Sequence, residues 1–290
     1  MLIEANDDVI RKLKGKGIFK EPVLAAADLS YDRYYGKDNN QIRKGRSDRG
    51  TRRFYMHASL HVVQAGKRVT IFTMMVTSLD DDASILETLI LAARSRGIRI
   101  HTLLVDRGFD GVGVVNKLKW LRQRFLAPAV KHKRVKKAIE DYDKGRTPAV
   151  VDYEMVGTGN KKAFCRLFMV MKNGALPTDS VIDRYNVFLT SMSVLRVILA
   201  FEGLPDEYRK RWGIETGFRM QDCVQAKTTS THSTVRVVYV TLSTFLYNIW
   251  VLCNVVFARR FGLVLDRPFI KLLLMAHCFR MQIEQPYKPP

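Results

Sequence analysis

The sequence predicts an α/β fold in which helices pack on a mixed β-sheet. Short apolar runs alternate with segments of helical periodicity, and 47% of the 290 residues are hydrophobic, which is enough to bury a core. The predicted order is a strand, a two-stranded hairpin, a helix, a strand, a helix and a strand. A hairpin adds antiparallel pairing to strands joined by helical crossovers, so the sheet is mixed.

The first half of this sheet is predicted from three apolar segments. Val23–Ala27 is a continuous apolar run, as expected for a strand that is buried on both faces. A polar loop follows at 37–53. Strands at 54–63 and 68–77 then form a hairpin around the turn at 64–67.

The second half alternates helices and strands. A helix is predicted at 84–96, after acidic residues that favour a helix start, and Gly97 ends it. A strand at 98–105, a helix at 111–125 and a short strand at 126–130 follow. Residues 1–130 therefore form the first part of the predicted core.

The pattern changes at residue 131, where a β-rich insertion is predicted to span 131–205. Helical sequence returns at 206 and continues, with breaks, to 281, so that 206–281 forms the C-terminal helical part of the core. The tail at 282–290 is predicted to be disordered. The strand-like segments of the insertion are 149–156, 163–171 and 185–190.

The charge of the chain indicates a polyanionic partner. Lys and Arg number 48 against 28 acids, which gives a net charge of +20 and a pI near 10. Basic proteins gain affinity for nucleic acids because each neutralised phosphate releases condensed counterions. Two segments concentrate the charge: the predicted loop KDNNQIRKGRSDRGTRR and the run KHKRVKK. Either segment is explained by contact with a DNA backbone or by simple solvation.

The cysteines indicate a reducing compartment. Cys165, Cys223, Cys253 and Cys278 form no CxxC pair and lie in apolar or helical sequence, so they are predicted to be buried free thiols. The N-terminal residues are mixed in charge and lack the apolar segment of a signal peptide. A cytoplasmic, nucleoid-associated protein is expected.

One segment raises the question of a membrane. Residues 237–257 carry no charge and are long enough to span a bilayer. The segment contains Thr, Ser and Asn side chains, which the core of a protein accepts more readily than lipid. A buried core helix is predicted, and a membrane protein built around this segment is the alternative.

Two carboxylates follow predicted buried strands: Asp28 comes directly after VLAAA, and Asp106 directly after HTLLV. A strand end aims a side chain rigidly. Two such acids on adjacent strands repel each other unless a cation lies between them, so a hard divalent cation with oxygen ligands is expected. Taken singly, either acid is better explained as the end of a strand or the cap of a turn. Asp32 and Asp110 lie outside the apolar runs and rank second.

A third acid lies in the segment DEYRKRWGIETGFRMQD, at 206–222. Four polar side chains share one predicted helical face. They are Tyr208, Arg211, Glu215 and Asp222. Arg offers a planar fork for a phosphate and Tyr offers a hydroxyl, beside a metal-binding carboxylate. The alternative is a surface helix with an Arg211–Glu215 ion pair worth roughly 0.2–0.5 kcal/mol.

Together these residues resemble the DDE transposases of bacterial and archaeal insertion sequences, in the group with a Tyr-(2)-Arg-(3)-Glu-(6)-Lys signature. Tyr208, Arg211 and Glu215 match that signature in type and spacing. The segments AADLS and LLVDRGFDG resemble the regions that carry the first two acids of the family, which places these at Asp28 and Asp106. The resemblance covers residues 20–260. It implies a ribonuclease H-like fold with a β-rich insertion before the helix that carries the third acid.

The resemblance also implies a mechanism. Asp28, Asp106 and Glu215 would hold two Mg²⁺ ions, with Mn²⁺ as a substitute. Water would attack a phosphodiester at the end of the element, and the freed 3′-hydroxyl would attack a second phosphodiester. Double-stranded DNA and a homodimer assembled on it are the expected partners. The residues expected to contact DNA are Tyr208, Arg211, Arg219, Lys227, Arg43, Lys44, Arg46, Lys131, Lys133 and Arg134.

Two departures from the family pattern leave alternatives open. The final basic residue of the signature falls on Asp222, and Arg219 and Lys227 are the candidates to replace it. Few residues precede Val23, where the family usually has a DNA-binding domain, so a core fragment, a shortened variant and a relic are all considered. The alternative functions are a catalytically silent DNA-binding protein derived from a transposase and a ribonuclease H-like nuclease that cuts without joining.

Other polar and aromatic residues have more ordinary interpretations. His57 and His61 share one face of a predicted strand and have no third metal ligand nearby, so packing or phosphate contact is expected. Tyr31, Tyr34 and Tyr35 follow Asp28 and either stack on DNA or pack under the sheet.

Overall fold

The computed structural model describes residues 1–265, 267–275 and 277. The helices of this described part are α1 (Leu2–Gly15), α2 (Asp82–Ser95), α3 (Val112–Trp120), α4 (Lys133–Asp143), α5 (Val181–Arg184), α6 (Val194–Leu199), α7 (Leu204–Arg209), α8 (Trp212–Asp222) and α9 (Ser233–Arg260). The strands are β1 (Val23–Tyr34), β2 (Arg43–Asp48), β3 (Thr51–Val62), β4 (Thr70–Val76), β5 (Ile100–Val105), β6 (Phe125–Pro128), β7 (Val150–Val156), β8 (Lys162–Met171) and β9 (Tyr185–Thr190).

All of these strands join one mixed sheet. Its order is β2-β3-β1-β5-β6-β9-β8-β7, and β4 pairs with β3 beside β2. The pairs β1–β5 and β5–β6 are parallel, whereas the other pairs are antiparallel. The mixed sheet with flanking helices that the sequence predicts is confirmed.

The apolar run at the start of β1 explains why this strand lies in the middle of the sheet. Ala25 and Ala27 face the larger core, together with α2 and α3, whereas Leu24 and Ala26 face a smaller core that includes Ile214 of α8. Side chains alternate along a strand. Asp28 therefore follows Leu24 and Ala26 on the face that α8 covers.

The basic segment at 37–53 is not a loop throughout, as the sequence suggested. Residues of β2 form a hairpin with β3, and β1 continues beyond Asp28 as the antiparallel partner of β3 as far as Tyr34. The hairpin turns at Arg49 and Gly50, which both have positive φ, at 45° and 84°. Such paired positive angles match the twist of a hairpin. The polar sequence conceals this hairpin, because no residue of β2 is buried and none is a large apolar residue.

The segment 131–205 begins with a helix that the sequence reading missed. In α4, Val135 and Ile139 lie one turn apart and are buried, while most of the basic side chains of KHKRVKK point outward. The three strands that follow agree with the prediction to within one residue at each end. They extend the central sheet, because β9 pairs with β6.

Helix α9 contains the uncharged segment at 237–257. By length and composition alone it is the one helix in the described residues that is able to cross a membrane, and half of its most apolar window is buried. It packs against α1, β4 and α8, and Tyr247, Trp250 and Val251 are part of the main core. Asn248 is fully buried and bonds to the backbone of Thr70 and to Asn6 of α1. These hydrogen-bond partners come from β4 and α1, as predicted for a helix buried in the core of the protein.

The cysteine prediction holds for one residue and fails for another. Cys165 is buried, and burial raises its pKa to about 12. Cys223 is exposed at the end of α8, where it is not needed for packing, and Cys253 is half-buried. Cys278 and the predicted disordered tail at 282–290 lie outside the described residues.

Candidate active site

The parallel pairing of β1 with β5 brings two predicted acids to the same place. Ala27 pairs with Val105, so Asp28 and Asp106 follow neighbouring positions of the sheet. Asp106 leaves β5 in extended conformation and begins a short 3-10 turn. The sequence suggested that Asp28 ends its strand. In the structure Asp28 lies inside the longer β1, because β1 stays paired with β3 beyond Asp28.

The third acid arrives on α8, which lies very close to the sheet. Gly213 and Gly217, one turn apart, face β3. A Cβ atom at Gly217 would come within 2.7 Å of Nδ1 of His61, and one at Gly213 within 3.1 Å of Val63. Glycine at both positions therefore allows the close approach that places Glu215 near β1. The sequence analysis did not use this pair, although the four-residue spacing was visible.

Arg211 connects two of the acids. Its Nη1 donates to Oδ2 of Asp28 at 2.9 Å, and its Nη2 donates to Oε1 of Glu215 at 2.8 Å. The Arg211 side chain is 10% exposed, that of Asp28 18% and that of Glu215 47%. The predicted single helix at 206–222 is broken here, since Arg211 lies in the turn between α7 and α8.

The electrostatics show that the acids are crowded. Burial raises the pKa of Asp28 to about 6, and the charges of Asp106 and Glu215 add to this rise. The backbone N–H of Leu29, at 2.8 Å, and Arg211 act in the opposite direction and favour the carboxylate. The register of β1 with β5 places Asp28 beside Asp106, and Arg211 bridges Asp28 to Glu215, so the three predicted acids lie in one region of the fold.

Tyr208 borders the same site. Its ring lies near the guanidinium of Arg211, with 6.0 Å from Cζ to the ring centre, and its hydroxyl donates to the carbonyl of Val105 at 3.4 Å. Burial raises the pKa of Tyr208 to about 12, and the neighbouring charges of Asp106 and Asp28 contribute in the same direction. The hydroxyl therefore stays a hydrogen-bond donor at neutral pH.

The donor chemistry of the site fits a hard divalent cation. Asp28, Asp106 and Glu215 offer carboxylate oxygens, which Mg²⁺ prefers, and a cation would relieve their mutual repulsion. The arrangement is not preassembled: no group of three His, Cys, Asp or Glu side chains within the described residues is positioned to hold a metal ion. Arg211 supplies the positive charge between Asp28 and Glu215 instead.

A cleft of about 730 Å³ opens beside Asp106. Tyr208 and the exposed ring of Trp212 line one side, and strand β9 lines the other. Four basic residues line it as well. They are Arg107, Lys131, Lys172 and Arg209. Of these, only Lys131 was predicted from the sequence, because the other three lie outside the two basic segments at 37–53 and 131–137.

The basic residues predicted to contact DNA fall into two groups in the structure. Lys44, Arg46, Lys133, Arg134, Arg219 and Lys227 are exposed. Arg43 is half-buried and pairs with Asp82 at 3.4 Å, and Lys131 donates to the carbonyls of Ile182 and Tyr185 at 2.6 and 2.8 Å. The last two side chains therefore already have structural partners, as does the exposed Lys44, which pairs with Asp38 at 2.8 Å.

A second cleft, of about 570 Å³, surrounds Asp222, the residue at the basic position of the signature. Burial raises the pKa of Asp222, and the nearby Asp32 adds to the rise. Lys227 lies in the same cleft, as does Arg236, whose guanidinium stacks on the ring of Tyr55 at 4.9 Å. Lys227 is one of the two replacements that the sequence suggested. Arg236 was missed because it begins an apolar helix.

Several polar residues are accounted for by packing. His57 and His61 are buried, and burial lowers the pKa of each, to about 4 and about 3. Tyr34 is buried against Tyr55, with 5.1 Å between ring centres. Asp110 accepts a hydrogen bond from the backbone of Val130 at 2.7 Å. Tyr31 and Tyr35 remain exposed.

The sequence was then compared with known proteins. A family model described as transposase DDE domain matches residues 33–249, which is well over half of the chain. The chain belongs to the transposase DDE domain family. Asp106 and Glu215 lie within the matched residues, and Asp28 lies just before them. No curated protein matches the sequence.

Among solved structures, this DDE domain is similar to the piggyBac transposase in a cryo-EM structure of its synaptic complex with hairpin DNA. The TM-score is 0.57, at 9% sequence identity. The match covers 92% of this chain and 55% of the piggyBac chain, so this chain spans about half the length of that protein. At this identity the likeness shows the fold alone, which is the ribonuclease H-like mixed sheet expected from the sequence.

Proposed function

We propose that this DDE domain is the transposase of a prokaryotic insertion sequence, in the group with the Tyr-Arg-Glu-Lys signature. It cuts DNA at the ends of the element and joins the freed ends to target DNA. The observation that carries the proposal is the Arg211 bridge between Asp28 and Glu215, with Asp106 on the neighbouring strand lining a basic cleft. Family membership and the net charge of +20 support it. A cytoplasmic, nucleoid-associated homodimer on DNA is part of the proposal.

The residues of the site have separate roles in this proposal. Asp28, Asp106 and Glu215 hold two divalent cations, Mg²⁺ or Mn²⁺. When bound, these ions supply positive charge for the attacking and leaving oxygens of a phosphodiester. Arg211 and Tyr208 donate hydrogen bonds to the phosphate and orient it, because both are hydrogen-bond donors at neutral pH.

The proposal is tested by cleavage and strand transfer on DNA that carries the native element ends, with Mg²⁺, Mn²⁺ or EDTA. Metal-dependent cutting and joining is the expected result. Cutting without joining would favour a ribonuclease H-like nuclease. Salt-sensitive DNA binding without cutting would favour a silent DNA-binding protein, and Asp222→Lys would then be the first variant to test for restored activity.

Trp212 provides a test of how DNA lies in the cleft. Its ring is 67% exposed, and it lines the cleft together with Asp106 and Tyr208. An exposed aromatic ring stacks on an unpaired base, with roughly 1–3 kcal/mol for each base. We expect Trp212→Ala to weaken the binding of DNA with an unpaired end roughly tenfold or more, as measured by fluorescence anisotropy.

Trp120 offers a matched control, because its ring is 71% exposed on α3 and lies outside the lining of this cleft. Trp120→Ala should leave DNA affinity unchanged. Equal affinities for Trp212→Ala and the unchanged protein would show that the ring does not stack on DNA.

A further inference from the structure

Arg211 occupies an unusual position for a residue that is expected to bind DNA. Its guanidinium is buried, and both of its Nη atoms are already used by Asp28 and Glu215. Its Nε is also buried and has no hydrogen-bond partner within the described residues. The two Nη atoms of the guanidinium therefore bond to the acids, whereas its Nε lacks a hydrogen-bond partner within the described residues.

The same carboxylate groups are the ones that the proposed function assigns to divalent cations. A guanidinium and a metal ion are both cations that seek the carboxylate oxygens of Asp28 and Glu215, so each weakens the binding of the other at this site. Removing Arg211 without a replacement would leave buried negative charges unpaired, which is strongly unfavourable. Arg211 thus stabilises the site in the absence of metal and competes with metal for it.

We propose that Arg211 is an internal counter-ion that keeps the metal site closed until a DNA phosphate takes over its guanidinium. The inference rests on the proposed function and adds a coupling to it. Cation binding and DNA binding each favour the other, because both draw Arg211 away from the acids. This coupling is reciprocal, as linkage requires.

Local structure makes this exchange of partners feasible. Arg211 lies in the turn between α7 and α8, where its backbone is helical and bonds to Tyr208 on one side and Ile214 on the other, so the exchange requires only a new side-chain rotamer. The Glu215 side chain is 47% exposed, so solvent and ligands reach one end of the bridge. A guanidinium fork binds phosphate in a bidentate manner as readily as it binds carboxylates.

The test measures binding of Mn²⁺ to the protein without DNA, from the free-ion signal in electron paramagnetic resonance. We expect Arg211→Gln to bind Mn²⁺ more tightly than the unchanged protein, roughly 5- to 150-fold, which is the usual range of coupling between two sites. Arg211→Lys, which keeps one charge but loses the fork, should fall between the two. The matched control is Arg11→Gln, since Arg11 of α1 is exposed, pairs with Asp8 at 2.8 Å and lies outside both clefts.

A second measurement addresses DNA. In the unchanged protein, Ca²⁺ at constant ionic strength should tighten binding of a short duplex, and this effect should be absent in Arg211→Gln. Mn²⁺ binding that is equal or weaker in both Arg211 variants would overturn the proposal. Because the Mn²⁺ measurement involves neither DNA nor cleavage, its outcome is independent of whether the chain proves to be a transposase.

Discussion

Asp106→Asn is expected to abolish metal-dependent cleavage and joining, by about 10³-fold or more. The change removes one carboxylate charge from the site and keeps the shape of the side chain. Metal ions contribute several kcal/mol to stabilising the charge of the transition state, and each 1.36 kcal/mol corresponds to a factor of ten. Cleavage of labelled DNA under single-turnover conditions measures the loss, and anisotropy should show that DNA binding persists.

Asp32→Asn is the matched control for this experiment. Asp32 lies four residues after Asp28 on the same strand face, and burial raises its pKa as well, but it belongs to the cleft around Asp222. This variant should cut DNA at a rate close to that of the unchanged protein. Loss of cutting in Asp32→Asn with retention in Asp106→Asn would show that the acids of the site have been assigned wrongly.

Asp28→Asn should make the folded protein more stable, although it removes one of the proposed metal ligands. Burial raises the pKa of Asp28 from 3.8 to about 6, so above that pH the folded protein carries a charge that burial disfavours. The stability that protonated Asp28 provides is fully present below pH 3.8 and is lost as the pH rises through 6. We expect Asp28→Asn to raise the free energy of unfolding at pH 8 by about 1–3 kcal/mol.

Urea unfolding from pH 4 to pH 8 measures this difference, which should disappear at the acidic end. Added Mg²⁺ should stabilise the unchanged protein and not the variant, because the variant lacks one ligand. A variant that is less stable than the unchanged protein at pH 8 would mean that the ion pair with Arg211 outweighs the cost of burying the charge. The trade between stability and a strained site is common in enzymes.

Much of the site follows from simple patterns in the sequence. The apolar run before Asp28 predicts a central strand, and the run before Asp106 predicts its neighbour, so their proximity follows from parallel pairing. The spacing of Arg211 and Glu215 predicts their ion pair, which the structure contains at 2.8 Å. Local periodicity is enough for each strand and for this ion pair, because these depend on residues that are close in sequence. The pairing of β1 with β5 joins distant residues, and it was expected because both strands have the apolar pattern of the sheet interior.

Features that depend on distant residues were not predictable in this way. The bond between Arg211 and Asp28 joins positions far apart in the chain and depends on how closely α8 approaches the sheet. Arg236 reaches the cleft around Asp222 only because α9 begins there. The ribbon of β2 was taken for a loop because exposed charged residues mask its pairing with β3.

The pairing of β6 with β9 has a consequence for any attempt to divide the chain. Residues 150–190 contribute three strands that continue the sheet carrying Asp106, and β9 covers the backbone edge that β6 would otherwise present. Excising this stretch would leave a row of unpaired N–H and C=O groups, which is a template for aggregation. The segment that looks like an addition to the fold therefore serves as its edge protection, and a minimal functional fragment has to retain it.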